Sequence, residues 1–378
     1  MSTLMEHLGQ LESSGLIRLV QLEPELEYLF RQPLLQEAAY TSMLRVRQRQ
    51  WHLIVGEALE QIYPQRLASG DLAPRLAYHF QRAGDRERAL KYLTQAADTA
   101  LASFANPEAE TLYRQALALG PSETERAEFL FGLGQSLFRQ SRFDEAIQTW
   151  REGIGLCQAR GDTEKMARLY ARSARAAWYA DVSQSLKLCQ EGLAALDLAD
   201  LQDTAAGVPH GPDVARLVHE AARAYFFNGM PDQAIPLCQQ ALEMAERLGV
   251  VDIQADALAT LGMLFDETPE VALEALTRAV MLAESTGLLY QAARAHTNLA
   301  YLLYTFMADF RAAREHDLRG AALSRQRGSV AGELLGLGNA AHLSLLLGEF
   351  DQVEATLAEL RALQSQVVDP GTVTVHIT

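Results

Sequence analysis

The side chains able to do chemistry in this 378-residue chain are numerous but scattered. Nine histidines invite a metal or a general base, yet no His-Glu-x-x-His and no mixed Cys/His ligand spacing occurs. His52 and His79 fall on helical patterns among apolar neighbours, where a hydrogen-bonded structural histidine is the expected reading. Cys157, Cys189 and Cys238 stand far apart with no Cys-x-x-Cys pair. They read as small buried apolar residues of a protein kept in a reducing compartment. No Gly-x-Ser-x-Gly elbow marks a nucleophile. A phosphate loop needs Gly-Lys-Ser/Thr, and the only lysines, Lys91, Lys165 and Lys187, lie in no such context. Gly336-Leu337-Gly338 sits inside a helical pattern rather than after a strand, so it is no dinucleotide loop. Paired carboxylates abound, but on helix faces they read as solvated surface. No catalytic residue, cofactor or metal is therefore expected, and the chain does not read as an enzyme.

Charge narrows the choice of partner. With 33 basic and 48 acidic residues the net charge is −15, which disfavours nucleic acid because phosphate binding needs a basic footprint. Arg45, Arg47 and Arg49 form the basic cluster of the N-terminal part. The apolar content of 49% is ample for a core. Glu6 and His7 stand where a signal peptide would have its basic region, and Arg294 and His296 interrupt the most apolar late segment, Leu288–Ala308. A cytoplasmic protein with no membrane span is expected. Nothing in the pattern sets an oligomeric state.

The elements that must position these residues are helices in pairs. In residues 214–245, Val218, Ala221, Ala222 and Tyr225 share one helix face, and Gly229 and Pro231 stop the helix. Ala234, Cys238 and Ala241 then line a second helix. Such a hairpin cannot bury its apolar face alone. Aligning the small residue that begins each second helix gives Ala89, Ala109, Ala146, Ser185, Ala234, Ala272, Ala313 and Val353. Most steps are 37 to 41 residues. The first, of 20, implies that one helix from Asp85 to about Ser103 serves two hairpins. The step of 49 holds a surplus at 200–213, where Gly207, Pro209, Gly211 and Pro212 predict a surface loop or hinge. A period near 40 in an all-helical pattern means a solenoid of stacked hairpins.

Before that array, residues 1–13 predict a helix, with strand-like runs at 16–20 and 26–30 around a turn containing Pro24. Pro33 opens a further helix, and another runs from Trp51 to Tyr63. Three regions are expected: 1–50, a helical array over 51–366 with its break near 200–213, and a tail, 367–378. Val373, Val375 and Ile377 make that tail strand-like by pattern.

The repeats resemble the tetratricopeptide repeat. Ala109, Tyr113, Ala116 and Pro121 reproduce its second half. Leu130, Leu133, Gly134, Phe143, Ala146 and Trp150 carry most of another copy, although Gly153 replaces the second alanine. Asn298-Leu299-Ala300 and Asn339-Ala340-Ala341 match the centre of the first helix. The N-terminal run Tyr28-x-Phe30-Arg31-x-Pro33-Leu34-Leu35-Gln36-Glu37-Ala38-Ala39-Tyr40, followed by Arg49-x-Trp51-His52, is similar to the join between a winged helix and such repeats in STAND-type signalling ATPases and related bacterial cyclase and kinase regulators. Gln32 replaces the usual histidine there. By this resemblance Met1 falls inside the winged helix, and the nucleotide-binding half is absent.

The resemblance implies an all-α fold, a right-handed α-α superhelix (TPR-like solenoid) of about seven hairpins behind a small winged-helix remnant. It implies a protein-binding scaffold, the sensor or regulatory arm of a larger signalling protein. The first helices of such arrays line a concave face that grips a peptide or partner domain. Carried onto this chain, that face holds Phe131, Gln135 and Phe138, then His219, Arg223 and Phe226, then Asn298, Tyr301 and Tyr304, then Asn339 and His342. Aromatic and arginine side chains are suited to binding hot spots. A carboxylate clamp needs several basic side chains on this face, and only Arg223 is well placed, so that ligand class is not expected. The alternative reading is a DNA-binding transcriptional regulator using residues 1–50. Against it, residues 1–13 contain no Lys or Arg for reading bases.

Overall fold

Small residues decide where these helices cross. Ala89, Ala109, Ala146, Ala234, Ala272 and Ala313, each near the start of a second helix, are all completely buried. With only a methyl group at the crossing, two backbones approach closely, and each hairpin closes on its own apolar seam. The computed structural model describes residues 2–21, 27–198, 211–264 and 268–364. It has two compact units, residues 1–136 and 137–378.

The first unit begins with α1 (Ser2–Ser13) and a two-stranded antiparallel hairpin, β1 (Ile17–Gln21) and β2 (Glu27–Phe30). Ile17 pairs with Phe30 and Leu19 with Tyr28, with an irregularity between Leu19 and Gln21. The expected turn at Pro24 lies outside the described residues. Then come α2 (Pro33–Thr41), α3 (Arg45–Ile62), α4 (Pro64–Ala68), α5 (Ala73–Ala83), α6 (Arg86–Ala102), α7 (Asn106–Ala118) and α8 (Glu123–Arg139). As the 20-residue step implies, α6 packs against both α5 and α7. Gly84, in the left-handed conformation at φ 82°, ends α5, and the Asp85 carboxylate accepts from the Arg88 amide to start α6. Phe80 and Tyr92 stack at 5.7 Å in the core between them. Helix α3 starts at Arg45, earlier than its Trp51–Tyr63 pattern suggests, so Arg45, Arg47 and Arg49 ride exposed on its first turns. The boundary at 136/137 falls within α8, where no composition shift marks it.

The second unit is all hairpins: α9 (Phe143–Arg160), α10 (Thr163–Trp178), α11 (Val182–Ala195), α12 (Pro212–Phe227), α13 (Pro231–Leu248), α14 (Val251–Leu264), α15 (Pro269–Ser285), α16 (Leu289–Thr305), α17 (Phe310–Gln326), α18 (Val330–Leu346) and α19 (Phe350–Gln364). Each helix packs on the next. In addition, α10 packs on α12, α12 on α14 and α14 on α16, so these first helices lie side by side in one layer. That is the stacking of a tetratricopeptide-like solenoid. Gly336 belongs to this packing: a Cβ there would lie 2.7 Å from the Asp317 carbonyl oxygen of α17. Of the expected loop at 200–213, residues 200–210 lie outside the described residues, while Gly211 caps α12 and Pro212 opens it. The expected tail, 367–378, also lies outside them.

Candidate functional site

The first-helix layer of the second unit carries a polar stripe on each of four helices. On α10, Asp162 caps the first turn, and Met166, Ala167, Leu169, Ala171 and Ala174 are buried. Arg168, Arg172 and Arg175 recur at four and three residues, which puts the guanidinium groups on one side. The Glu164 carboxylate of α10 accepts from the amides of Gly211 (2.6 Å) and Asp213 (3.0 Å), tying α10 to the positive end of α12. Helix α12 then presents Arg216, Glu220 and Arg223, α14 presents Asp252, Asp256 and Thr260, and α16 presents Tyr290, Gln291 and Arg294.

These stripes interlock. The Arg175 guanidinium donates to both Glu220 carboxylate oxygens, from Nε at 3.1 and 3.2 Å, and from Nη1 to the Tyr290 hydroxyl at 3.0 Å. Arg223 Nη1 reaches Glu220 at 3.2 Å, Arg216 Nη2 reaches Asp252 at 2.7 Å, and Arg294 Nη1 reaches Asp256 at 2.8 Å. Gln291 adds a bond to Asp256 Oδ2 at 3.2 Å. Glu220, Arg223 and Asp256 are all buried. Burial alone would raise the Glu220 carboxyl, but Arg175 and Arg223 outweigh it and hold it below the usual carboxylate range. Asp256 is lowered in the same way, with Arg294 as the main opposing charge. Burial and the neighbouring Arg175 bring Arg223 down to about 10, against the pull of Glu220.

Between the stripes is a cavity of about 380 Å³. Arg172, Arg175, Arg216, Glu220, Asp252, Asp256, Tyr290 and Gln291 form its polar wall, with Phe138, Ala171 and Tyr179 on one side and Arg327 on another. The aromatic side is braced: Phe143 stacks on Tyr179 at 5.1 Å, and Phe138 sits 5.8 Å from Tyr179 and 6.3 Å from Trp150.

The residues singled out by the repeat pattern are distributed as follows. Phe131 and Gln135 belong to the first unit and are half-buried. The Gln135 side-chain oxygen, Oε1, is buried with no hydrogen-bond partner among the described residues. Phe138 lines the cavity. His219 is only 2% exposed, its Nε2 lying 3.0 Å from Thr260 Oγ1 and 3.1 Å from the Asp256 carbonyl oxygen. Burial drives its pKa down to about 3, so it is a neutral group joining α12 to α14. A direct contact to a partner is thus closed to His219, because the neighbouring hairpin covers it. Arg223 is buried beside Glu220, 5.7 Å from the rings of Trp178 and Phe227. Phe226 is half-buried next to Phe227. Asn298 and Asn339 also join hairpins, donating to the Ala259 carbonyl (3.0 Å) and to Asp317 (3.2 Å). Tyr301, Tyr304 and His342 remain exposed, with Tyr304 edge-on to His342 at 5.9 Å.

The arginines of α10 and the acids of α14 carry no aromatic-plus-amide signature and escaped the repeat pattern. Their signal was the four-and-three spacing of Arg168, Arg172 and Arg175. Away from this layer, His52 is buried, 2.9 Å from the Tyr40 hydroxyl and 3.0 Å from His79 Nδ1. The three cysteines are buried, and none forms a disulfide among the described residues. Among the described residues no group of three or more His, Cys, Asp or Glu could hold a metal ion, and no helix is long and apolar enough to cross a membrane.

No protein-family model and no curated protein sequence matches the chain. Solved structures do. Aspartyl phosphate phosphatase F from Bacillus subtilis is similar at 12% identity over 91% of this chain and 90% of its own, with a TM-score of 0.57. The apo form of RapI is similar at 11% identity over 82% and 87%, with a TM-score of 0.50. The Rap conjugation gene regulator of plasmid pLS20, solved with the Phr* peptide, is similar at 9% identity over 79% of both chains, again with a TM-score of 0.50. At such identities the likeness is one of fold.

Proposed function

We propose that this tetratricopeptide-like chain is a protein-binding scaffold whose first-helix layer in the second unit docks an extended peptide, and that it serves as the regulatory arm of a larger signalling protein. The observation that carries this reading is the cavity in that layer, walled by groups from α10, α12, α14 and α16. Farther along the layer, exposed Tyr301, Tyr304 and His342 supply the aromatic contacts that peptide grooves favour. The pLS20 regulator, similar in fold, was solved with a peptide and offers a precedent. Panning a random peptide display library on the full chain should select a consensus. Its affinity should fall at least about tenfold in the Tyr301→Ala/Tyr304→Ala double variant, as expected for hot-spot residues. Failure to select any peptide, or binders indifferent to both substitutions, would reject this function.

A further inference from the structure

The cavity wall holds more guanidinium than its own carboxylates consume. Arg175 is taken by Glu220 and Tyr290, and Arg216 by Asp252. Each acid is likewise held: Glu220 between Arg175 and Arg223, Asp256 by Arg294 and Gln291. Arg172 is left over. It makes no hydrogen bond or ion pair among the described residues, and its Nε is buried without an acceptor. Arg327, also at the cavity wall, rests over the Tyr290 ring at 5.0 Å and makes no ion pair among the described residues. Four arginines and three acids line the space, and Arg223 and Arg294 stand directly behind them.

From these positions we propose that the cavity receives an oxyanion, a carboxylate or phosphoryl group, with Arg172 as its principal donor and Arg327 closing from the exposed side. A guanidinium fork matches such groups with two parallel hydrogen bonds, and a buried unpaired donor has most to gain from one. The surroundings favour negative charge. Burial would raise the Tyr290 hydroxyl, but Arg175, Arg294 and Arg223 outweigh it and lower its pKa. About 380 Å³ is space for one such group with its stem, not for a folded partner. Only the source of the oxyanion rests on the peptide-docking function, since the preference for anions belongs to the cavity itself.

The full chain titrated with succinate or inorganic phosphate at constant ionic strength, with chloride as control, tests this by calorimetry and thermal shift. The expected result is saturable binding and a rise in melting temperature with one of the oxyanions and not with chloride. Apparent affinity should fall at least about tenfold in Arg172→Gln and less in Arg327→Gln, in line with loss of charge-assisted hydrogen bonds. Arg327 is exposed, so its variant reports on the site even if Arg172→Gln impairs folding. No saturable effect on the wild type, or equal binding by wild type and both variants, overturns the proposal. Peptides selected on the chain, remade in four forms, identify the source: free C-terminus, amidated with one glutamate, amidated with one phosphoserine, and amidated neutral. Equal binding of the neutral form overturns the docked peptide as the source of the oxyanion while leaving peptide docking intact. Small-anion binding with no peptide bound in any form overturns the docking function alone.

Discussion

Two buried carboxylates, Glu220 on α12 and Asp317 on α17, meet opposite fates in the same kind of packing. Glu220 lies between Arg175 of the preceding hairpin and Arg223 one turn along its own helix, and it stays ionised. Asp317 is 3% exposed, and its hydrogen bond is from the neutral Asn339 amide. Burial pushes its pKa up to about 7, with Asn339 only partly opposing. Stacked hairpins therefore do not by themselves decide the charge of a buried acid. The adjacent repeat decides it, by offering a guanidinium or an amide.

The largest effect should come from breaking the ionised side. Glu220→Gln removes the carboxylate that pairs with Arg175 and buried Arg223 and should cost about 3–5 kcal/mol in denaturant unfolding, the range for halving a buried ion pair. A loss below about 1 kcal/mol, the worth of a surface pair, would show that water already screens this cluster. Asp317→Asn should act in the opposite direction, stabilising the chain at pH 8 by about 1–3 kcal/mol by removing a poorly solvated charge. The sign follows from linkage: a raised folded pKa contributes stability below the ordinary value of 3.8 that is lost as pH rises through about 7. The gain of the variant should accordingly vanish near pH 4 and grow toward pH 8. A difference independent of pH would assign it to packing instead. The smallest effect belongs to an exposed pair, Arg278 Nη2 and Glu246 Oε1 at 3.6 Å. Arg278→Ala should change stability by no more than about 0.5 kcal/mol, and thermal melts of the same variant at low and high salt should nearly coincide.

Much of the fold was legible because its rules are local. Small residues at a period near 40, and Gly229 and Pro231 at the break between α12 and α13, act within one or two turns of chain. The shared helix α6 could even be read from a 20-residue step. The candidate site was much less legible. Tyr301, Tyr304 and His342 stood out as aromatic and polar residues on first helices, and they are exposed. His219 and Arg223 have the same kind of pattern, yet the next hairpin buries them. An exposed helix face and an inter-repeat seam look alike in one sequence, since both are polar stripes at helical spacing.

What the sequence determined by itself is the unit: that the helices come in pairs, which face carries alanine, and that the unit must stack. Hydrophobic periodicity and capping suffice for that, because both are short-range. The tertiary structure alone decided which charges meet. Arg175 finds Glu220 across 45 residues and Asp256 finds Arg294 across 38, and each distance depends on how one hairpin seats on the next. Electrostatic pairing in a low-dielectric seam changes sharply over a few ångströms. The stripe Arg168, Arg172 and Arg175 could be seen in the chain, but only the packed layer left Arg172 without an acceptor at the wall of a cavity.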